Sequence, residues 1–174
     1  MSRVAVIANI LRFVGMLLVQ VLVLKRVTLG WEAFPYVQIL LYPLFILLLP
    51  LRVPRPLVIL TSFAMGILVD MFYNSWGIHA SASVFTAFIR PFILNRLEPR
   101  GGYTAAHAPN KERMGWAWFL RYAAFLLAFH LFFYFSVESF TFVYIIRILL
   151  NTFFSFIVTF IFILIYMQVF NPKE

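Results

Sequence analysis

Cysteine is absent, which excludes a disulfide framework, a thiolate metal site and a cysteine nucleophile. Acidic side chains are scarce: 6 Asp and Glu stand against 14 Lys and Arg in 174 residues. Charged residues of both signs make up 11% of the chain, where soluble domains carry roughly a quarter. The short motifs of catalysis are also missing. There is no phosphate loop, no nucleophile elbow and no pair of His at helical spacing to hold zinc. The acid and base groups stand isolated on separate segments, so no catalytic residue is assigned and no enzyme activity, cofactor or metal is expected. No soluble domain, internal repeat or low-complexity tail stands out.

What the chain does have is apolar surface. Hydrophobic residues make up 64% of it, and its mean hydropathy is +0.96. A chain this apolar cannot be covered by polar surface in water, so lipid has to be the solvent for much of it. The net charge of +8 and the pI of about 10.2 raise the question of nucleic acid. The basic residues, however, sit in short connectors between apolar runs, which is the pattern of membrane topology, and no nucleic acid is expected.

Continuous apolar runs, rather than alternation over about ten residues, favour helices over a membrane barrel. Six such runs, at about 4–24, 34–49, 57–73, 78–94, 116–135 and 140–170, predict one all-α membrane domain over 1–174 with six transmembrane helices. Arg3 before the first run imitates a signal peptide, but Arg12 interrupts it and no small-residue cleavage site follows, so an uncleaved first helix is expected. The second run is short and contains Pro43, which predicts a kink or local thinning. The last is longer than a span needs, so it tilts, protrudes or bends. Breakers interrupt the chain near Gly30, between Pro50 and Pro56, and at Asn74–Gly77. The connector 95–115 is the only long polar stretch.

Six spans put Arg3, Arg52, Arg55, Arg96, Arg100, Lys111, Arg113 and Lys173 on one side, with Lys25 and Arg26 on the other. The richer side is expected to be cytoplasmic, with both termini and the 95–115 connector. Trp116 and Trp118 on that side, and Trp31 and Trp76 on the other, read as interface anchors.

Charges inside hydrocarbon face the bundle interior or a cavity and find partners. Arg12, Asp70, His130 and Arg147 are such residues, while Arg90 lies nearer the inner surface, within reach of snorkelling. By helix rise, Asp70 and His130 both lie roughly 20 Å from the inner end of their helices, and Arg147 lies about 10 Å below the outer end of its own. This predicts that Asp70 pairs with Arg147, with His130 nearby. A structural staple is the plainer role for such a pair, and a proton or ion relay would need a connected polar path to both surfaces. Ser62, Gly66, Asp70 and Tyr73 recur on one face, as do His79, Ser83, Thr86 and Arg90 on the next helix. Small residues in these stripes allow close helix approach, so the two segments form a tightly packed hairpin, or else line a pocket or partner groove.

The stretch Gly66-Ile-Leu-Val-Asp70-Met-Phe-Tyr-Asn-Ser-Trp-Gly77-Ile-His79, with Ala80 to Pro91 after it, resembles the rod shape-determining protein MreD family of bacteria. Ile10 to Leu24, the turn Leu47 to Pro56 and the segment Leu97 to Tyr103 are similar as well. The resemblance implies a non-enzymatic inner-membrane scaffold of the cell-elongation machinery. It also implies a partner, MreC, and through it RodA and a class B penicillin-binding transpeptidase, with MreB linked indirectly. The fold it implies is that of the substrate-binding subunits of energy-coupling-factor transporters. The matching motif positions are Gly66, Asp70, Gly77, His79 and Arg90, with Ser83, His130 and Arg147 as further packing or partner-binding candidates. The alternative is a vitamin-type transporter subunit. Such subunits dock through an Ala-x-x-x-Ala-like pattern on the first helix, which Ala5, Ala8 and Gly15 do not match.

Overall fold

A computed structural model of the chain describes residues 3–29, 36–103, 109 and 111–170. Gly30, Trp31, the start of the 34–49 run, part of the 95–115 connector and Lys173 lie outside the described residues. Among those described there are helices and no strands. Helix α1 (Arg3–Leu18) runs through a π-helical turn (Val19–Leu24) into α2 (Lys25–Leu29). The short α3 (Pro43–Leu48) precedes the long α4 (Arg55–Tyr73) and α5 (Ile78–Arg96). A single turn, α6 (Lys111–Met114), leads to α7 (Trp116–Ser139) and then to α8 (Ile145–Phe170).

Four helices are long and apolar enough to cross a membrane: Val6–Val27, Arg55–Tyr73, Trp116–Ser139 and Ile145–Phe170. The chain is therefore a multi-pass membrane protein. Only 22% of the apolar window of the first and last of these spans is buried within the protein, so most of both is left facing outward. Helix α8 shows why. Its buried positions are Ile148, Asn151, Ser155, Thr159, Ile163 and Met167, one stripe at helical spacing, while Leu149, Phe153, Ile157 and Ile161 stay exposed.

Two expected spans depart from that pattern. Helix α5 is long enough at 19 residues but does not qualify as apolar. Its polar residues His79, Ser83, Thr86 and Arg90 are buried, because α5 packs between α4 and α7 and shows them to protein rather than to lipid. The second departure is a correction. Residues 36–42 are not helical, and only Pro43–Leu48 forms a helix, so the 34–49 run is not a kinked transmembrane helix and the described residues do not make six spanning helices. Pro43 explains the break: it has no N–H to bond back to the chain before it, yet it suits the first turn of a new helix. The residues from Ile39 to Leu49 are nevertheless all buried.

This segment leads from one end of the bundle to the other. Gln38, Ile39 and Leu40 border a cavity with Lys25, Ser75 and Glu138, whereas Leu51 and Val53 lie with Arg55 and Asn95. Seven residues at about 3.3 Å and one short helix at about 1.5 Å per residue cover roughly 30 Å, the thickness of a hydrocarbon core. The same thirteen residues wound fully as helix would reach only about 20 Å. The partly unwound form removes the shortness expected from the sequence.

Candidate functional site

The end of the bundle at the α4–α5 turn is organised by Asp70. It sits in the last turn of α4, and its carboxylate points at the first turn of α5, whose N-cap residue Gly77 has no side chain to offer the free backbone N–H groups. Asp70 takes that role across the hairpin. Oδ1 accepts the His79 N–H at 3.0 Å and Oδ2 accepts the Ala80 N–H at 2.9 Å. Oδ1 also accepts the Ser75 hydroxyl at 2.9 Å and pairs with His79 Nδ1 at 2.9 Å. Negative charge at a helix N-terminus is favoured by the helix dipole, and these donors replace the water that the carboxylate gives up.

The turn that brings these groups together depends on two left-handed residues, Asn74 at φ 55° and Gly77 at φ 85°. Asparagine and glycine are the residues that reach this region most readily. Above the turn, α4 and α5 touch at Gly66. A Cβ there would lie 2.4 Å from Ala80 Cα and 2.6 Å from the His79 carbonyl oxygen, so only glycine permits this approach. Ser83 returns its hydroxyl to the His79 carbonyl at 2.7 Å. Gly66, Asp70, Gly77, His79 and Ser83 thus form one unit.

The expected Asp70–Arg147 pair does not form. Asp70 is paired with His79, and Arg147 is exposed on α8. The correction has a physical basis: five to ten residues along the chain, Asp70 already finds a hydroxyl, an imidazole and two backbone donors. His130 does not reach Asp70 either. It is fully buried, with Nδ1 2.7 Å from the Thr86 hydroxyl and Nε2 2.8 Å from the Tyr42 hydroxyl. Thr86 gives its own hydrogen to the Ala82 carbonyl, so His130 Nδ1–H donates to Thr86 and Nε2 accepts from Tyr42.

Arg90 is a second correction. It is buried rather than snorkelling, and it donates through Nη2 to the Leu49 carbonyl and through Nε to the Tyr122 hydroxyl at 2.9 Å. Tyr122 passes its hydrogen to the Leu47 carbonyl at 3.0 Å, and Arg12 donates to the Leu48 carbonyl at 3.2 Å. The two internal arginines therefore converge on the C-terminal end of α3, where unpaired carbonyls and the negative end of a helix favour cations.

Sequence reasoning missed the clamp on residues 36–42. Bare backbone at membrane depth needs partners inside the protein. Fully buried Gln20, in the π-helical turn, accepts the Leu41 N–H at 2.7 Å and donates to the Ile39 carbonyl at 3.0 Å. From α8, Ser155 accepts the Gln38 N–H at 2.8 Å and Thr159 accepts the Leu40 N–H at 3.2 Å. Residues 38 and 40 thus bond toward α8 while 39 and 41 bond toward Gln20, the period of an extended chain. The signal was available: Asn151, Ser155 and Thr159 form a polar stripe in an otherwise apolar helix.

At the basic end, Trp118 donates to the Leu97 carbonyl and Tyr103 to the Leu94 carbonyl, both at 2.7 Å. Burial pushes the Tyr103 hydroxyl up to about 12, so it stays a donor near neutral pH. Trp116 lies beneath the Lys111 ammonium at 4.7 Å, and Trp76 is 92% exposed at the opposite end. Among the described residues no three His, Cys, Asp or Glu side chains come together. The one polar atom of the hairpin site left without a partner among them is His79 Nε2. Compared with known proteins, the chain matches no family model, no curated protein and no solved structure.

Proposed function

We propose that this protein is a non-enzymatic scaffold of the MreD type in the bacterial inner membrane, binding MreC and supporting cell shape and peptidoglycan synthesis. In this reading the chain passes the membrane six times, five times as helix and once as the 36–49 segment. Both termini and the basic connectors are cytoplasmic. RodA and the class B transpeptidase are reached directly or through MreC, and MreB indirectly.

The observation that carries the reading is how the motif residues are used. Asp70, Ser83 and Arg90 spend their polar atoms on helix ends and backbone carbonyls of this same chain. Groups committed in this way hold a shape and are not free for chemistry. The faces left over are the apolar sides of α1 and α8, which suit association with other membrane helices by packing. A vitamin-type transporter subunit would need a sealed pocket on the outer side. The cavity at the α4–α5 turn measures about 250 Å³, below the roughly 300–1,000 Å³ of ordinary ligand sites.

The test is a pull-down of the full chain from bacterial membranes in mild detergent, with mass spectrometry of what co-purifies. MreC is the expected partner. Its absence, together with normal rod shape in cells depleted of the protein, would contradict the scaffold role.

A further inference from the structure

A second cavity, of about 230 Å³, lies at the opposite, basic end of the bundle, between the start of α4 and the last turns of α5. Arg55 and Asn95, both exposed, stand at its rim with Tyr103. Arg90 also lines it, is only 5% exposed, and sits about 9 Å from the end of α5 by helix rise. An arginine cannot shed its proton, so a buried one needs compensation for the water it has lost. Arg90 has this only in part. Nε bonds to the Tyr122 hydroxyl and Nη2 to the Leu49 carbonyl, both uncharged. Neither Arg90 nor Arg55 is ion-paired with a carboxylate of the described residues, and Glu98, whose charge reaches the Tyr103 hydroxyl, bonds to neither. Arg90 Nη1 bonds to no described residue. It is not among the sealed polar atoms that lack a partner, which are His79 Nε2 and Asn151 Oδ1. Nη1 therefore keeps open surface, on the cavity that Arg90 lines.

We propose that this cavity binds a phosphate group, held by Arg90 Nη1 from the inner wall and by Arg55 and Asn95 at the rim. A buried cation without a counter-charge gains most from an anion, and guanidinium N–H groups match phosphate oxygens in geometry and bond to them strongly. The N-terminus of α4, which no side chain caps, adds positive potential at Arg55. The donors come from α4 and from two turns of α5, so they reach a guest from different directions. A tetrahedral phosphate offers an oxygen to each, where a planar carboxylate has only two. The volume falls below the roughly 300–1,000 Å³ of sites that enclose a whole ligand, so the cavity takes the charged end and leaves the rest outside. A phosphate on a lipid headgroup and free phosphate both meet this description. The proposal depends neither on the scaffold role nor on which side of the membrane this end faces. It uses the one Arg90 nitrogen that is not spent on holding the fold.

The probes are inorganic phosphate and dihexanoyl phosphatidylglycerol, each followed by phosphorus NMR on the full-length protein in a phosphate-free maltoside detergent. Salt is held at about 0.15 M, where charges more than about 8 Å apart are screened. At least one probe should show a saturable shift. A shift with both means that the site accepts either source, a shift with the lipid alone assigns the headgroup, and a shift with inorganic phosphate alone assigns the free anion. Asn95→Asp, nearly isosteric and at an exposed position, sets a carboxylate at the rim. It should weaken binding by about tenfold or more and leave the unfolding midpoint unchanged. Arg55→Gln should weaken binding about tenfold. Arg121→Gln, which removes the same charge from an exposed position on α7 outside the cavity, should change it by less than about twofold. Acetate should bind about tenfold or more weakly than the probe that binds. No saturable shift with either probe, binding that survives Asn95→Asp, equal losses in Arg55→Gln and Arg121→Gln, or acetate binding as well as the probe would each overturn the proposal.

Discussion

The α4–α5 hairpin and the 36–49 segment solve one problem in opposite ways. Both must satisfy polar groups in a setting without water. The hairpin does it locally: Asp70 reaches His79 and Ala80, nine and ten residues on. The segment does it at long range, borrowing Ser155 and Thr159 from 117 and 119 residues away and Gln20 from the π-helical turn. A local solution can form as soon as two helices meet. A distant one exists only when α1 and α8 have both closed around the segment. The hairpin is therefore expected to be the part that holds together by itself, and the segment the part that reports on the assembled bundle.

The comparison can be broken first at Asp70. Asp70→Ala removes the anion from a buried network and leaves the His79 and Ala80 N–H groups at the start of α5 without acceptors, a loss of about 2–5 kcal/mol. Thermal unfolding in detergent should show it as the most damaging single change. Gly66→Ala comes next. Its new methyl group would collide with the backbone at Ala80, so the hairpin must splay, at about 1–3 kcal/mol, whereas Gly15→Ala, with nothing within 4 Å, should leave the unfolding midpoint where it is. Removing the clamp in Ser155→Ala with Thr159→Ala should destabilise the protein by about 2 kcal/mol in total while leaving the hairpin intact. The smallest effect is expected at Arg147. It is exposed on α8, so Arg147→Gln should change stability by less than about 0.5 kcal/mol, where a buried Asp70 partner would have cost several times more.

The hairpin was legible in the sequence because its signals are local. Helices expected over 57–73 and 78–94 are found at Arg55–Tyr73 and Ile78–Arg96, and the small and polar stripes lie on the faces that meet. The 4–24 run was legible as a helix, but not the π-helical turn that carries Gln20, since nothing in an apolar run marks a change of hydrogen-bond spacing. The 36–49 segment was misread for a related reason. Hydropathy reports that Ile39 to Leu49 avoid water, and they do, but burial in protein and burial in lipid look alike from composition. The partners that make the unwound backbone tolerable lie on other helices. Arg147 was misassigned because helix rise gives depth but not which way a side chain faces, and α8 turns that residue outward.

Amide hydrogen exchange at Gln38 and Leu40 tests the clamped, non-helical segment most directly. Both amides should exchange slowly in the wild-type protein in nanodiscs and rapidly in the Ser155→Ala, Thr159→Ala double variant, because those side chains are their acceptors. Protection that persists in the double variant would mean that these amides bond to carbonyls within their own helix, and the segment would be an ordinary transmembrane helix after all.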